Sequence, residues 1–125
     1  VIIRIEAESD IPIYTQLTNQ IIEGIARGEI VYGDSLPSVR AFAADLGVNM
    51  HTVNKSYHEL EKKGIIKIVP KSGAIISPTE QLSEERKQQI INELKPVIAE
   101  ALVIGMSKLE MQDLVSAVLK EMKER

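Results

Sequence analysis

The sequence predicts a mostly α-helical chain with one small β-hairpin, divided into a compact region over residues 1–77 and a two-helix region over 78–125. Three observations carry that reading. Apolar residues recur at spacings of three and four in five separate stretches, the signature of amphipathic helices. One β-branched run, Ile65–Val69, is followed by a Pro-Lys-Ser-Gly turn and the short run Ala74–Ile76. Between the hairpin and the last two helices, Ser77-Pro78-Thr79-Glu80 has the composition of a linker.

The elements follow in order. Val1–Ile5 is rich in β-branched residues and reads as a short edge strand. Pro12, a good first-turn residue, opens a helix whose stripe is Ile13, Leu17, Ile21, Ile22 and Ile25, and Gly28 ends it. Val31 to Pro37 reads as a loop from its Gly and Pro. Ser38 caps a short helix bearing Val39, Phe42, Ala43 and Leu46, which stops at Gly47. Asn49 caps a third helix running to Lys63, with Val53, Tyr57 and Leu60 inward and Gly64 closing it. Little more than Gly47-Val48 separates these two helices, the spacing of a helix-turn-helix, and the hairpin after them forms a wing.

The last two helices carry Ile90, Ile91, Leu94, Val97, Ile98, Ala101 and Leu102, then Leu109, Leu114, Val115, Val118, Leu119 and Met122. Pro96 lies inside the first and is expected to kink it or split it at Lys95. Ser107 and Glu110 form a capping box at the start of the second.

Composition narrows the chemistry. With 44% hydrophobic residues but 3% aromatic and no Trp, the core is aliphatic. The absence of Cys excludes disulfides, thiolate metal sites and a cysteine nucleophile, and suits a cytoplasmic protein. No stretch approaches the roughly 20 apolar residues that span a bilayer. Val1–Ile5 has its Arg in the wrong place for a secretory signal, so none is expected there. With two His and no Gly-rich phosphate loop, a nucleophile–base set has little to be built from, and no enzyme or cofactor is expected.

The net charge of −3 is unevenly spread. Residues 1–34 carry two arginines against six acids, residues 35–77 six bases against three acids, and residues 78–125 seven bases against nine acids. The helix-turn-helix and wing are therefore locally positive, and the local field is what a phosphate backbone meets.

With Val53, Tyr57 and Leu60 buried, the third helix presents Met50, His51, Asn54, Lys55 and His58, with Thr52 near its tip. Such a helix is about 22 Å long, enough to lie in a major groove. Asn reads adenine, Thr meets a thymine methyl or a phosphate, and Lys supplies charge. Amides at the helix start favour a phosphate. Arg40 lies in the first turn of the preceding helix, which crosses the backbone in such motifs. Lys71 and Ser72 at the wing tip are within reach of a flanking phosphate or the minor groove.

The run from Ile11-Pro12-Ile13-Tyr14 to Gly28-Glu29-Ile30, then Gly33-Asp34-Ser35-Leu36-Pro37-Ser38-Val39-Arg40, resembles the DNA-binding domain of the GntR family. Ala43-Ala44-Asp45-Leu46-Gly47-Val48-Asn49, Thr52-Val53, Tyr57, Glu59-Leu60 and Lys63-Gly64-Ile65-Ile66 continue the likeness to about residue 76. Ala101, Gly105-Met106-Ser107 and Glu110 look like its YtrA subfamily. The resemblance implies DNA contact by Arg40, by Asn49, Met50, His51, Thr52 and Asn54, and by the turn from Pro70 to Gly73. The full set expected at DNA adds Ser38 and Lys55 to these, with Lys71, Ser72 and Gly73 at the wing. The chain departs from the family pattern at Met50, where many relatives carry Asn or Arg, and at Asn54, where many carry a basic residue. Its wing Val69-Pro70-Lys71-Ser72-Gly73 also has one charge where relatives have several. Weaker backbone binding is expected.

Other readings of the same residues are plainer. Arg40 is suited to pair with Asp34 or Asp45 on the surface. His51 and His58, seven apart on one face, suggest a metal, but no carboxylate completes a site, so none is expected. Glu59 to Lys63 reads as a solvated helix end with acids before bases. Tyr14, Tyr32 and Tyr57 read as half-buried core. Met50 suits either a thymine methyl or plain exposure.

Two helices cannot bury two apolar stripes by themselves, so the stripes dock on the winged region or on a second chain. The commoner solution, a symmetric copy, is expected to cover Leu94, Val97, Ile98, Ala101, Leu102, Leu114 and Val118. A dimer places two reading helices about 34 Å apart, matching half-sites one turn apart in a pseudo-palindromic operator. The function expected is a transcriptional regulator, in the first instance a repressor, with double-stranded DNA and its own twin as partners. An effector at the dimer seam fits the same arrangement. The alternatives are a winged-helix module docking a protein, and a sensor without DNA binding.

Overall fold

In the computed structural model of the protein, which describes residues 3–77 and 82–123, the first apolar stripe folds as helix α1, Ile13–Ala26. Leu17 and Ile21 on its inner face are shielded from water, and Ile22 and Ile25 pack beside them. Ser35–Leu36 forms strand β1, Val39–Leu46 helix α2 and Met50–Lys62 helix α3. Ile66–Val69 and Gly73–Ile76 are strands β2 and β3. Helix α4 is Glu84–Val103 and helix α5 is Lys108–Lys123. The described residues form two compact units, one ending with β3 and Ser77 and the other holding α4 and α5.

Two expectations are corrected in the first unit. Ile3 to Ile5 is not a strand; Val1 and Ile2, also expected in it, lie outside the described residues. Among the described residues no strand pairs with this segment, and two glutamines of α1 bond to its backbone instead. Gln20 Oε1 accepts from Arg4 N at 2.8 Å, and its Nε2 donates to Arg4 O at 2.6 Å. One turn earlier, Gln16 Oε1 accepts from Glu6 N at 2.8 Å while Nε2 donates to Glu6 O and Ile11 O at 3.0 and 2.8 Å. Ile3 and Ile5 then pack on the core.

The second correction concerns the segment from Val31 to Pro37, expected to be all loop, which contains β1. The sheet therefore has three antiparallel strands in the order β1-β3-β2. Leu36 faces Ala74, which faces Ile68, on the buried side; Ser35, Ile75 and Lys67 line the exposed side. Gly33 and Pro37, the residues that suggested a loop, flank the strand rather than interrupt it. Gly33 N donates to Ile76 O, and Ile76 N to Asp34 O, each at 2.9 Å, extending the ladder toward the bend.

One core joins the helices to the sheet: Leu17 and Ile21, Ala43, Val53, Tyr57 and Leu60, then Leu36, Ile66, Ala74 and Ile76. Partly buried Val39, Phe42, Leu46 and Val48 close its rim. Each fully buried Leu, Ile or Val among them contributes about 1.5–3 kcal/mol.

In the second unit α4 runs uninterrupted through Pro96, so of the two expected outcomes, a kink or a split at Lys95, the split does not occur. Residues 91–100 are all exposed, so the carbonyl that Pro96 leaves without a donor is open to solvent. Ser83 caps α4, its Oγ accepting from Arg86 N at 3.0 Å. The capping box of α5 forms as read: Ser107 N donates to Glu110 Oε1 at 3.0 Å, and Glu110 N to Ser107 Oγ at 3.1 Å. The expected linker residues Pro78, Thr79 and Glu80 lie outside the described residues.

Candidate nucleic-acid interface

Gly47, Val48 and Asn49 are the whole turn between α2 and α3. Gly47 adopts φ 70°, a left-handed conformation that a side chain would disfavour, and Val48 N returns to Ala43 O at 3.1 Å. Ser38 caps α2, its Oγ accepting from Ala41 N at 3.2 Å. Its hydroxyl hydrogen stays available to donate. Arg40, in the first turn of α2, is exposed, and among the described residues no hydrogen bond or ion pair engages it, with Asp34 or Asp45 or any other group.

Val53, Ser56, Tyr57 and Leu60 form the inner side of α3, each fully shielded from water. His51, Asn54, Lys55 and His58 are exposed on the other side, at spacings of three, one and three. Met50 is exposed at the tip and Thr52 half-buried. His51 and His58 stand two turns apart, about 10 Å along the axis, too far to share one ion. Among the described residues no cluster suits a metal.

Asn49 has a narrower role than its sequence suggested. Its Oδ1 accepts from His51 N at 2.7 Å, so the side-chain carbonyl serves the cap, whereas the exposed Asn54 carries no such cap bond. The amides of Thr52 and Val53 also bond to Asn49 O, at 3.0 and 3.4 Å. The helix start thus keeps fewer free amides for a phosphate than expected.

Several bonds hold this surface together, and the sequence reading missed them. The Tyr57 hydroxyl donates to Pro37 O at 2.7 Å, tying α3 to the lead-in of α2 and so to Arg40. Burial pushes that phenol well above its ordinary pKa, so it stays a donor throughout the working range. Thr18 Oγ1 donates to Tyr14 O at 2.7 Å; its one hydrogen being used there, Ser56 is the donor in the 2.7 Å bond between Ser56 and Thr18. Glu61 Oε2 accepts from Ile68 N at 2.8 Å, fastening the outer strand of the wing to the end of α3. Glu61 was read as part of a solvated helix end; the partner lies seven residues on, in another element. Lys55 Nζ sits 4.0 Å from the centroid of the Tyr14 ring, a cation–π contact worth about 0.5–1 kcal/mol at an exposed site.

At the wing, Ser72 N donates to Val69 O at 3.0 Å across Pro70 and Lys71. Lys71 has φ 67°, the position a type II turn reserves for Gly or Asn. Lys71 and Ser72 are exposed at the tip. Gly73, grouped with them from sequence, is instead buried in β3. A Cβ there would collide with the Leu36 carbonyl oxygen and lie 2.7 Å from the Pro37 carbonyl carbon. Its glycine is explained by close packing of β3 on the segment entering α2. Of the three tyrosines read as half-buried core, Tyr14 is half-buried, Tyr57 is wholly buried and Tyr32 is exposed, contrary to its reading.

Residues 13–76, from the first residue of α1 to the last of β3, match the bacterial regulatory proteins of the gntR family. The chain belongs to the GntR family. The likeness extends beyond the head of this GntR regulator. YtrA of Bacillus subtilis, an HTH-type transcriptional repressor, is 33% identical over 97% of this chain and 95% of its own. A structure of YtrA from Sulfolobus acidocaldarius, a GntR-family transcription factor, has 41% identity and a TM-score of 0.60, covering 95% of this chain and 97% of that one. A Listeria monocytogenes structure described as a transcriptional antiterminator has 29% identity and a TM-score of 0.90, over 100% and 95% of the two chains. The protein is thus a winged helix-turn-helix regulator of transcription, similar to YtrA along its length, and not an enzyme.

The second unit of this GntR protein has no buried residue in either helix. Leu94, Val97, Ile98, Leu102, Leu114 and Val118 are all exposed, and Ala101 is half-buried. An open cleft of about 660 Å³ runs between α4 and α5, lined by Ile98, Leu102, Met111 and Val115 with Lys108, Gln112 and Ser116. No described helix is long and apolar enough to cross a membrane.

Proposed function

We propose that this chain binds duplex DNA as a homodimer and represses transcription in the cytoplasm, with α3 in the major groove and the wing tip near the minor groove. One observation carries the reading: α3 buries Val53, Ser56, Tyr57 and Leu60 completely while leaving His51, Asn54, Lys55 and His58 exposed on its opposite side. Asn54 is suited to two-point base reading, and Lys55, Arg40 and Lys71 to phosphates. Ser38, Asn49, Met50, Thr52 and Ser72 flank them, whereas Gly73 serves through packing.

The exposed stripes of α4 and α5 support pairing of two copies through residues 78–125, leaving 1–77 as the reading head. A symmetric pair then presents two reading helices to one operator, each half-site repeating the other. Repression is proposed from the likeness to YtrA.

Anisotropy titration of a labelled duplex tests the reading. If six to ten phosphates are neutralised per dimer, log affinity falls with log salt at a slope of about −5 to −9. Arg40→Ala should weaken binding about tenfold or more; an unchanged titration removes Arg40 from the interface. Light scattering should give twice the 13.9 kDa chain mass, and a single-chain mass contradicts the dimer.

A further inference from the structure

We propose that Tyr14 is a positioning residue for DNA binding: its ring holds the Lys55 ammonium on the exposed side of α3, so that α1 takes part in phosphate contact through that lysine. The proposal rests on the DNA-binding reading above and adds to it a residue from outside the helix-turn-helix.

A lysine on an exposed helix face ordinarily samples many rotamers, which it must give up on meeting a phosphate. Here the ammonium already rests 4.0 Å from the Tyr14 ring centroid. The usual partner on such a face is a carboxylate one turn away, and Glu59 stands at that spacing. Among the described residues no ion pair holds Lys55. The difference matters to a polyanion. A carboxylate would neutralise the lysine and have to be displaced, whereas an aromatic face steadies the cation and leaves its charge for the phosphate.

The platform is itself referenced to α3. Tyr14 O accepts from Thr18 Oγ1, and Thr18 in turn accepts from Ser56, the residue next to Lys55, each at 2.7 Å. Thr18 and Ser56 are buried, so this polar chain is shielded from competing water. The α1 backbone that carries the ring and the helix that carries the lysine are thereby joined twice, through the buried hydroxyls and through the exposed ring contact.

The test is a double-mutant cycle on the full-length protein, read as the salt dependence of binding to a labelled random-sequence duplex. Lys55→Ala should reduce the slope by about 0.9 for each lysine that meets a phosphate. Tyr14→Leu should weaken binding about threefold or more and reduce the slope in the same direction, with Tyr14→Phe retaining wild-type values. In the Lys55→Ala background, Tyr14→Leu should add nothing further. A wild-type titration for Tyr14→Leu, or an equal loss in both Lys55 backgrounds, overturns the proposal, the second outcome marking a purely structural tyrosine. Proton NMR gives a readout free of substitutions: the Lys55 ε-methylene protons should be shifted upfield by the ring in free and duplex-bound protein. Loss of that shift on binding also overturns it. If the wild type binds no duplex even at low salt, the DNA reading falls and takes this inference with it. Binding by the wild type with indifferent Tyr14 variants removes this inference alone.

Discussion

Leu17, Val53, Tyr57 and Leu60 of the winged head are wholly shielded from water, whereas Leu94, Val97, Leu102 and Leu114 of the helical tail are 48–63% exposed. The two regions carry similar apolar stripes at similar spacing. They differ in what surrounds each stripe. In the head, three helices and a sheet enclose a common core, and buried hydroxyls find partners within it. The tail unit consists of two helices, and no packing of two cylinders hides a full stripe on both. Amphipathic periodicity therefore states that a face needs covering, without saying what covers it. The head answers from its own chain, and the proposed dimer is the tail's answer.

That contrast can be broken at either end. The largest effect belongs to the head. Leu60→Ala opens a cavity under α3 and should destabilise by about 2–5 kcal/mol, read from thermal or urea unfolding at any protein concentration. A loss below 1 kcal/mol would mean the core is looser than its burial indicates. In the tail, Leu94→Asp should leave the unfolding of the head unchanged but convert the dimer to monomer in light scattering. Operator affinity should then drop by about a hundredfold as the second head is lost. An intact dimer would place the pairing surface elsewhere.

Smaller changes sharpen the separation of stability from function. Lys71→Gly removes the strain of a non-glycine residue at φ 67° and should stabilise the head by about 1 kcal/mol in thermal unfolding. The same change deletes a wing-tip charge and should weaken duplex binding severalfold, with a salt slope shallower by about 0.9 per wing engaged. Equal binding would show that the wing stays clear of phosphates. The smallest effect is in the tail. Glu110 is held below its ordinary pKa, first by the Ser107 backbone N–H and then by the Ser107 hydroxyl. A depressed carboxylate contributes stability that is present above its unfolded pKa and lost as pH falls through the folded one. Acid titration should therefore fray the first turn of α5, seen as faster amide exchange at Ser107; exchange protection independent of Glu110 ionisation would contradict this.

What the sequence revealed follows the same division. Local rules located the caps at Ser38, Asn49 and Ser107 and the turn at Gly47, because each depends on residues a few positions apart. Periodicity placed Val53, Tyr57 and Leu60 inside. Non-local partners were not legible. Nothing near Ser35–Leu36 announces that β3, some forty residues on, will pair with it; the flanking Gly33 and Pro37 argued for a loop instead. Gln16 and Gln20 look like ordinary polar helix positions until the N-terminal segment is seen to bond to their amides. Gly73 read as part of the wing-tip turn, although its small size is set by contact with Leu36 and Pro37. At the candidate site, exposure of Arg40, His51, Asn54 and Lys55 followed from helical phase. The commitment of Asn49 to its cap, the Tyr57 bond to Pro37 and the Tyr14 platform needed the assembled fold.

Selection of bound sequences from a random duplex pool tests most directly whether the exposed side of α3 reads DNA in symmetric pairs. The account predicts an enriched inverted repeat with half-site centres about one helical turn apart, lost in the Asn54→Ala protein at the position that residue reads. No enrichment, or a lone half-site bound by a single chain, contradicts it.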